Sequence, residues 1–240
     1  MNSVAGRRAD DFSKTRWTIV QRLQAPHAGD ASQALTELAL RYWYPVYACV
    51  RHCGHAPEIA QDITSAFFQR IASAAGDAGL APRGRFRDWL LARLNAFLAG
   101  DWRDLADGEP AFAPSLEVLE QRNRDDFSPG DPPERAFQRG FALELLARGF
   151  KALQAEARQT GHLAMYEVLE PYLAHDPAPG QIEAMGRQLG IRPLALVLAL
   201  KRLRQRFREL VQGELSDTVS SPGDMTAEQH ALIKALACNS

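Results

Sequence analysis

Apolar residues in this 240-residue chain return every three or four positions in run after run, and no stretch alternates apolar with polar over the length a strand needs. That periodicity predicts an all-α protein. Leu35, Leu38 and Tyr42 step along one face and continue into Trp43, Val46, Tyr47 and Val50. Ile59, Ile63, Phe67 and Ile71 repeat the pattern, and Phe86, Leu90, Leu91, Leu94, Phe97 and Leu98 form a third stripe. The breakers Gly54 to Pro57 and the Gly/Ala/Pro stretch from Gly76 to Gly84 separate the three.

Further along, the punctuation changes. Residues 106–133 hold Pro110, Pro114, Pro129, Pro132 and Pro133 with scattered charges, which predicts a flexible linker with one short helix from Ser115 to Arg124. Helical spacing resumes with Phe137, Phe141, Leu145, Leu146, Phe150 and Leu153, then Leu163, Met165, Tyr166, Leu169 and Tyr172. After the breaker Asp176 to Gly180 comes a short helix to about Leu189, the turn Gly190-Ile191-Arg192-Pro193, and a long helix to about Gly213. A short helix, a glycine turn and a longer basic helix match a helix-turn-helix. The expected organisation is a first small helical domain at 12–105, the linker, a second at 134–214, and a C-terminal extension at 215–240 with a helix from about Thr226 to Leu236.

Lys plus Arg number 28 and Asp plus Glu 29, a net charge of -1 that argues against a nucleic-acid partner only if charge is evenly spread. It is not. From Arg192 to Arg208 the chain carries Arg192, Lys201, Arg202, Arg204, Arg206 and Arg208 and no acid, a footprint for phosphates or else a solvated helix face. Arg83, Arg85, Phe86, Arg87, Trp89, Arg93, Trp102 and Arg103 interleave cations with aromatics, as single-stranded nucleic acid favours, although Phe86 and Trp89 also have core spacing.

Cys49, Cys53 and Cys238 are too few, and odd in number, for a disulfide framework. With no apolar run long enough to span a bilayer and no secretory leader, the expected location is the cytoplasm, without membrane contact. No nucleophile-and-base motif or phosphate-cradling glycine loop stands out, so neither an enzyme nor a cofactor is expected.

Arg16-Trp17, then ALTELALRYWYPVYACVRHCGHAPEIAQDITSAFFQRI (Ala34 to Ile71) and GRFRDWLLARLNAFLAG (Gly84 to Gly100), resemble region 2 of an RNA polymerase sigma factor of the extracytoplasmic-function type, in the sigma-70 family. MGRQLGIRPLALVLALKRLRQRFRELVQGEL (Met185 to Leu215) resembles region 4 of the same family, and Thr218-Val219 with the following helix fits its tail. The resemblance implies a transcription initiation factor whose partners are core RNA polymerase, through the β′ clamp helices and β flap, and promoter DNA. It places Glu58, Gln61, Asp62 and Phe68 on the polymerase-binding helix. Arg85, Arg87, Trp89, Asn95 and Arg103 fall in the minus-10 melting segment, and Arg192, Lys201, Arg202, Arg204 and Arg206 in the minus-35 helix. The alternative is a sigma-derived interaction protein that binds polymerase or a regulator without reading promoters.

Three departures from the family pattern stand out. The polymerase-binding helix lacks two acids, at Ile59 and Ala66, so phosphorylation of Thr64 or Ser65 by a Ser/Thr kinase would restore roughly the missing charge, about -1.5 to -2. Control by an anti-sigma factor is the other expectation. The recognition helix begins Pro193, Leu194, Leu196, Val197, Leu198, with few hydrogen-bonding groups for base edges. Cys49, His52, Cys53 and His55 lie within seven residues, a spacing tight for zinc but open to a metal or redox role.

Overall fold

The structure is a computed structural model that describes residues 16–23, 28–73, 85–100, 102, 114–219 and 222–237. Among these every regular element is helical, as the periodicity predicts: α1 (Arg16–Leu23), α2 (Ala28–His52), α3 (Pro57–Ser73), α4 (Phe86–Ala99), α5 (Leu116–Asp126), α6 (Pro133–Gln159), α7 (Leu163–Leu169) with a 3₁₀ turn Glu170–Tyr172, α8 (Gln181–Leu189), α9 (Pro193–Ser216) and α10 (Pro222–Ala237). No described helix is long and apolar enough to cross a membrane. The chain divides into two compact units, residues 1–144 with 215–240, and residues 145–214.

The first unit is organised around α2. That helix buries Ala34, Leu38, Tyr42, Val46 and Val50 at i, i+4 spacing; Ala34 takes the buried position where the sequence pattern places Leu35, which is only half-buried. Tyr42 stacks on Phe141 at 5.7 Å between ring centroids and tilts against Phe86 at 5.3 Å, so α2, α4 and the start of α6 share one core. Trp43 stacks on Phe68 at 5.7 Å and fixes α3. Arg22 donates to Glu37 at 3.0 Å and ties α1 to α2.

The segment expected as a flexible linker is packed where it is described. Leu119 and Phe127 are buried, and the polar groups of α2 hold α5 in place. Tyr44 donates to Asp126 and Tyr47 to Glu120, each at 2.6 Å, while Arg51 donates to Glu120 at 2.7 Å and 3.1 Å. Burial and these acceptors push both tyrosine hydroxyls above their ordinary pKa, and Arg51 holds the Glu120 carboxyl below its own. Arg122 lies 3.7 Å over the Tyr44 ring. A proline-rich composition therefore marks irregular backbone here, not a loose tether.

The C-terminal extension also belongs to this unit. The Phe86 N–H donates to the Thr218 carbonyl at 3.0 Å, laying the chain beside the start of α4. Helix α10, wider than the expected 226–236, buries Glu228 and Leu232, and Arg139 donates to the Leu236 carbonyl at 3.0 Å. That carbonyl is one of the four a helix end leaves without an internal partner.

The second unit has its own core. Leu169, Met185, Leu196 and Leu200 are buried together, with Ile182, Leu189 and Leu203 packed against them. Leu153, Ala157 and Tyr166 form a second cluster against Leu203 and Phe207, and Phe150 meets Phe207 at 4.5 Å.

Candidate nucleic-acid interface

Helices α8 and α9 meet across a tight turn, and the sequence explains how. Gly190 caps α8 at φ 67°, ψ 26°, a left-handed conformation that side chains disfavour, and its N–H returns to the Gly186 carbonyl. Ile191 donates to the same carbonyl at 2.9 Å. Pro193 then opens α9 at a position where a missing N–H is harmless, and the Arg192 carbonyl accepts from Ala195 at 2.9 Å. The expected short helix, glycine turn and long helix are thus present, with the long helix opening at Pro193 and running to Ser216, past the expected Gly213.

Position on the 3.6-residue cycle sorts the side chains of α9. Leu196, Leu200, Leu203 and Phe207 point into the unit. On the opposite side Leu194, Val197, Leu198, Lys201, Gln205 and Arg208 run at i, i+3, i+4, i+7, i+11 and i+14, all exposed. Arg202 flanks this stripe and Arg192 precedes it, both exposed.

Two of the five expected minus-35 cations are engaged elsewhere. Arg204 is half-buried and donates to the carbonyls of Tyr172 and His175 and to Asp176, all within 3.1 Å, so it closes the 170–176 turn. Arg206 pairs with Glu156 at 2.6 Å and with Glu209 at 3.2 Å, which raises its pKa and lowers that of Glu156, while Gln205 and then Arg206 lower that of Glu209. Arg192, Lys201 and Arg202 make no ion pair among the described residues and face solvent. Arg208, outside the expected set, joins them and donates to Gln205 at 2.9 Å.

In the first unit the expected minus-10 residues separate further. Arg87 is 2% exposed: its guanidinium lies 2.7 Å from Glu228, donates to that carboxylate at 2.9 Å, and bonds Gln138. It is an internal brace and not a surface contact, because its position on α4 shares the face of Leu90 and Leu94. Arg85 stays partly exposed, donating to Asp88 at 2.6 Å with Glu228 3.6 Å away. Trp89 is half-buried against Phe86, with the exposed Arg93 5.8 Å from its ring centroid, a cation–π arrangement. Asn95 is exposed, and Arg103 lies outside the described residues.

On α3, Glu58 and Asp62 are exposed one turn apart, and Gln61 donates to the Pro114 carbonyl at 2.9 Å. Phe68 is core, stacked on Trp43, which removes it from the expected polymerase surface. Thr64 is fully buried with its hydroxyl donating to the Ala60 carbonyl at 2.7 Å, and Ser65 is 6% exposed. A kinase reaches neither hydroxyl on the folded helix, so the expected phosphorylation sites are corrected to packing positions.

The Cys/His cluster is engaged as well. The His52 ring bonds the Asp131 carbonyl at 3.0 Å, and the His55 ring stands edge-on to Trp102 at 5.6 Å. Among the described residues no three His, Cys, Asp or Glu side chains converge as a metal site would require. Buried Cys49 and exposed Cys53 share a hydrogen bond that pulls the Cys53 thiol below its ordinary value and, with burial, pushes Cys49 up. Iodoacetamide should therefore modify Cys53 with an inflection below the value of about 8.5 for a free thiol, leaving Cys49 untouched until unfolding. Peptide mass mapping across pH reads both sites.

Sequence reasoning missed the acids that hold the first unit together, Glu120, Asp126 and Glu228. Only Glu228 had a local signal: it sits between Met225 and Leu232 on the apolar stripe of α10, where a carboxylate implies a buried cation. Compared with protein-family models, curated proteins and solved structures, the chain matches none.

Proposed function

We propose that this chain is a transcription initiation factor of the sigma type, which binds core RNA polymerase through its first unit and addresses it to promoters through the helix-turn-helix of its second. The observation that carries this reading is α9: a helix presented by a glycine turn, with Lys201, Arg202 and Arg208 on its exposed side, Arg192 exposed just ahead of it, and no acid from 192 to 208. Such a surface suits the phosphates of duplex DNA, whose counterions it displaces. Glu58 and Asp62 supply the acidic face for a basic coiled coil, and Arg93 over Trp89 with Asn95 supplies a stacking and hydrogen-bonding surface for an unpaired base. Catalysis belongs to the polymerase, and the reading places the chain in the cytoplasm.

Transcription in vitro with core polymerase on genomic fragments tests it. Expected are transcripts from discrete start sites that depend on the chain. Replacing Arg192, Lys201 and Arg202 by Ala should abolish them at moderate salt. The same replacement should flatten the log–log salt dependence of DNA binding by about 0.9 for each phosphate no longer neutralised. The exposed Leu194, Val197 and Leu198 favour a second reading, a sigma-derived protein that binds polymerase or a regulator without reading promoters. Polymerase binding with no chain-dependent start site would establish that one instead.

A further inference from the structure

The first two turns of α9 expose three large aliphatic side chains side by side: Leu194 at 71%, Val197 at 47% and Leu198 at 48%. Single exposed leucines are common, but a cluster of three at i, i+3 and i+4 is a surface. It is also continuous with charge. Lys201 follows at i+7 on the same stripe, Arg208 at i+14, with Arg192 ahead and Arg202 beside, and no carboxylate intervenes from 192 to 208. An apolar tip running into a basic, acid-free ridge fits a partner that is polyanionic at its edges and apolar at one point on its floor.

We propose that the tip of α9 recognises the 5-methyl groups of thymines in the major groove of duplex DNA. This rests on the reading of the second unit as a DNA-binding module and adds what it reads. The chemistry leaves one choice of base. Leu194, Val197 and Leu198 carry neither donor nor acceptor, so they cannot tell guanine, cytosine and adenine apart by hydrogen bonds. Of the groups on the major-groove edge, only the thymine methyl is apolar. The four cations hold the helix on phosphates at either side, and its N-terminal end carries the positive pole of the helix dipole towards the groove. Specificity comes from excluding water between aliphatic side chains and methyls. Orientation comes from charge.

The test uses the full chain with core polymerase, and core polymerase alone as baseline. Binding sites are selected from random duplexes, and the selected duplex is then remade with uracil for thymine at the enriched double-stranded positions, which removes the methyls and nothing else. Expected is a loss of about fourfold in affinity per methyl contacted, compounding to tenfold or more for two. Placing 5-methylcytosine at those positions should restore part of the loss. In V197A and L198A proteins the thymine-to-uracil ratio should fall towards one, while the salt dependence stays that of the wild type.

Salt-dependent, chain-dependent binding that is equal on thymine and uracil duplexes overturns the proposal and leaves the DNA-binding reading standing. Absence of any chain-dependent duplex binding overturns both. Leucine and valine variants with an unchanged ratio show that the tip faces something other than the groove and also overturn it.

Discussion

Replacing Arg87 by methionine should destabilise the protein by about 3–5 kcal/mol, because Glu228 would be left as a buried carboxylate without its principal partner. Arg87 is 2% exposed and Glu228 fully buried. The pair joins two segments 141 residues apart, α4 and α10, through contacts of 2.7 Å and 2.9 Å. Arg85 remains 3.6 Å from the same carboxylate and offsets part of the loss, but it is itself bonded to Asp88. In a chain of this size the melting temperature should fall on the order of 10 °C, measured by calorimetry or circular dichroism. Arg85→Ala serves as a control, with an expected cost near ~1 kcal/mol or less, as for a partly exposed ion pair.

The same pair yields a sharper expectation. Burial, with Asp88, leaves the Glu228 carboxyl pKa raised in spite of Arg87 and Arg85, so the cost of burying the carboxylate offsets much of what the pairing contributes. A protein with both Arg87→Met and Glu228→Leu should therefore recover most of the loss of Arg87→Met alone. The pH dependence follows with a definite sign. With Arg87 in place the Glu228 carboxyl already lies above its ordinary range, and Arg87→Met removes groups that lower it, so in that protein the charged Glu228 is the destabilising form and its folded pKa stands higher still. As pH falls through that folded pKa the proton removes the charge, so the deficit relative to wild type is largest at neutral pH and shrinks on acidification. A deficit that grows on acidification would contradict this account.

Arg87 also shows where the sequence is legible and where it is not. Helix periods are clear in α2, α3, α4 and α9 because apolar residues there recur at i, i+3 and i+4; burial keeps to that register in α4, whereas residues 42–50 of α2 and 63–68 of α3 are buried on every side and Ile59, Leu194, Val197 and Leu198 stay exposed. Within α4, Arg87 stands on the line of Leu90 and Leu94, so its position points inwards while its charge points outwards. The register wins, because Glu228 supplies the partner that lets the charge be buried. Arg204 and Arg206 are likewise drawn off by the Tyr172 and His175 carbonyls, by Asp176 and by Glu156, partners 28 to 50 residues distant that no local pattern reveals. The packed segment 114–131 is hidden for the same reason. Leu119 and Phe127 are sparse anchors in a polar run, and the acids that fix it find Tyr44, Tyr47 and Arg51 at separations of 69 to 82 residues. The helix-turn-helix is legible because its signals are local: Gly190 for a left-handed cap, Pro193 at a helix start, and a stretch from 192 to 208 that holds cations and no acid.

The turn between α8 and α9 makes two glycines four residues apart behave differently, and Gly186→Ala should have the larger effect. A Cβ at Gly186 would stand 2.7 Å from the Ile191 carbonyl oxygen, a backbone atom that cannot rotate away, and 3.6 Å from the Pro193 ring. Relief requires α8 to move off the turn, which pulls on the Ile191-to-Gly186 hydrogen bond of 2.9 Å and on Met185 in the core. Overpacking of this kind costs about 1–3 kcal/mol. At Gly190 the added Cβ meets nothing within 4 Å and only the left-handed backbone, φ 67°, is strained, so Gly190→Ala should cost about 1 kcal/mol. The two differ in geometry as well as in magnitude. Gly186→Ala displaces α8 against the start of α9, so under the proposed DNA-binding role duplex binding should fall by more than its loss of folded protein accounts for. Gly190→Ala leaves the helix packing in place, and its binding loss should track the unfolded fraction alone. Thermal unfolding of each protein, with binding measured well below its melting temperature, separates the two effects. Equal binding by both variants, each corrected for folded fraction, would mean that the contact of Gly186 with the turn does not set the angle at which α9 is presented.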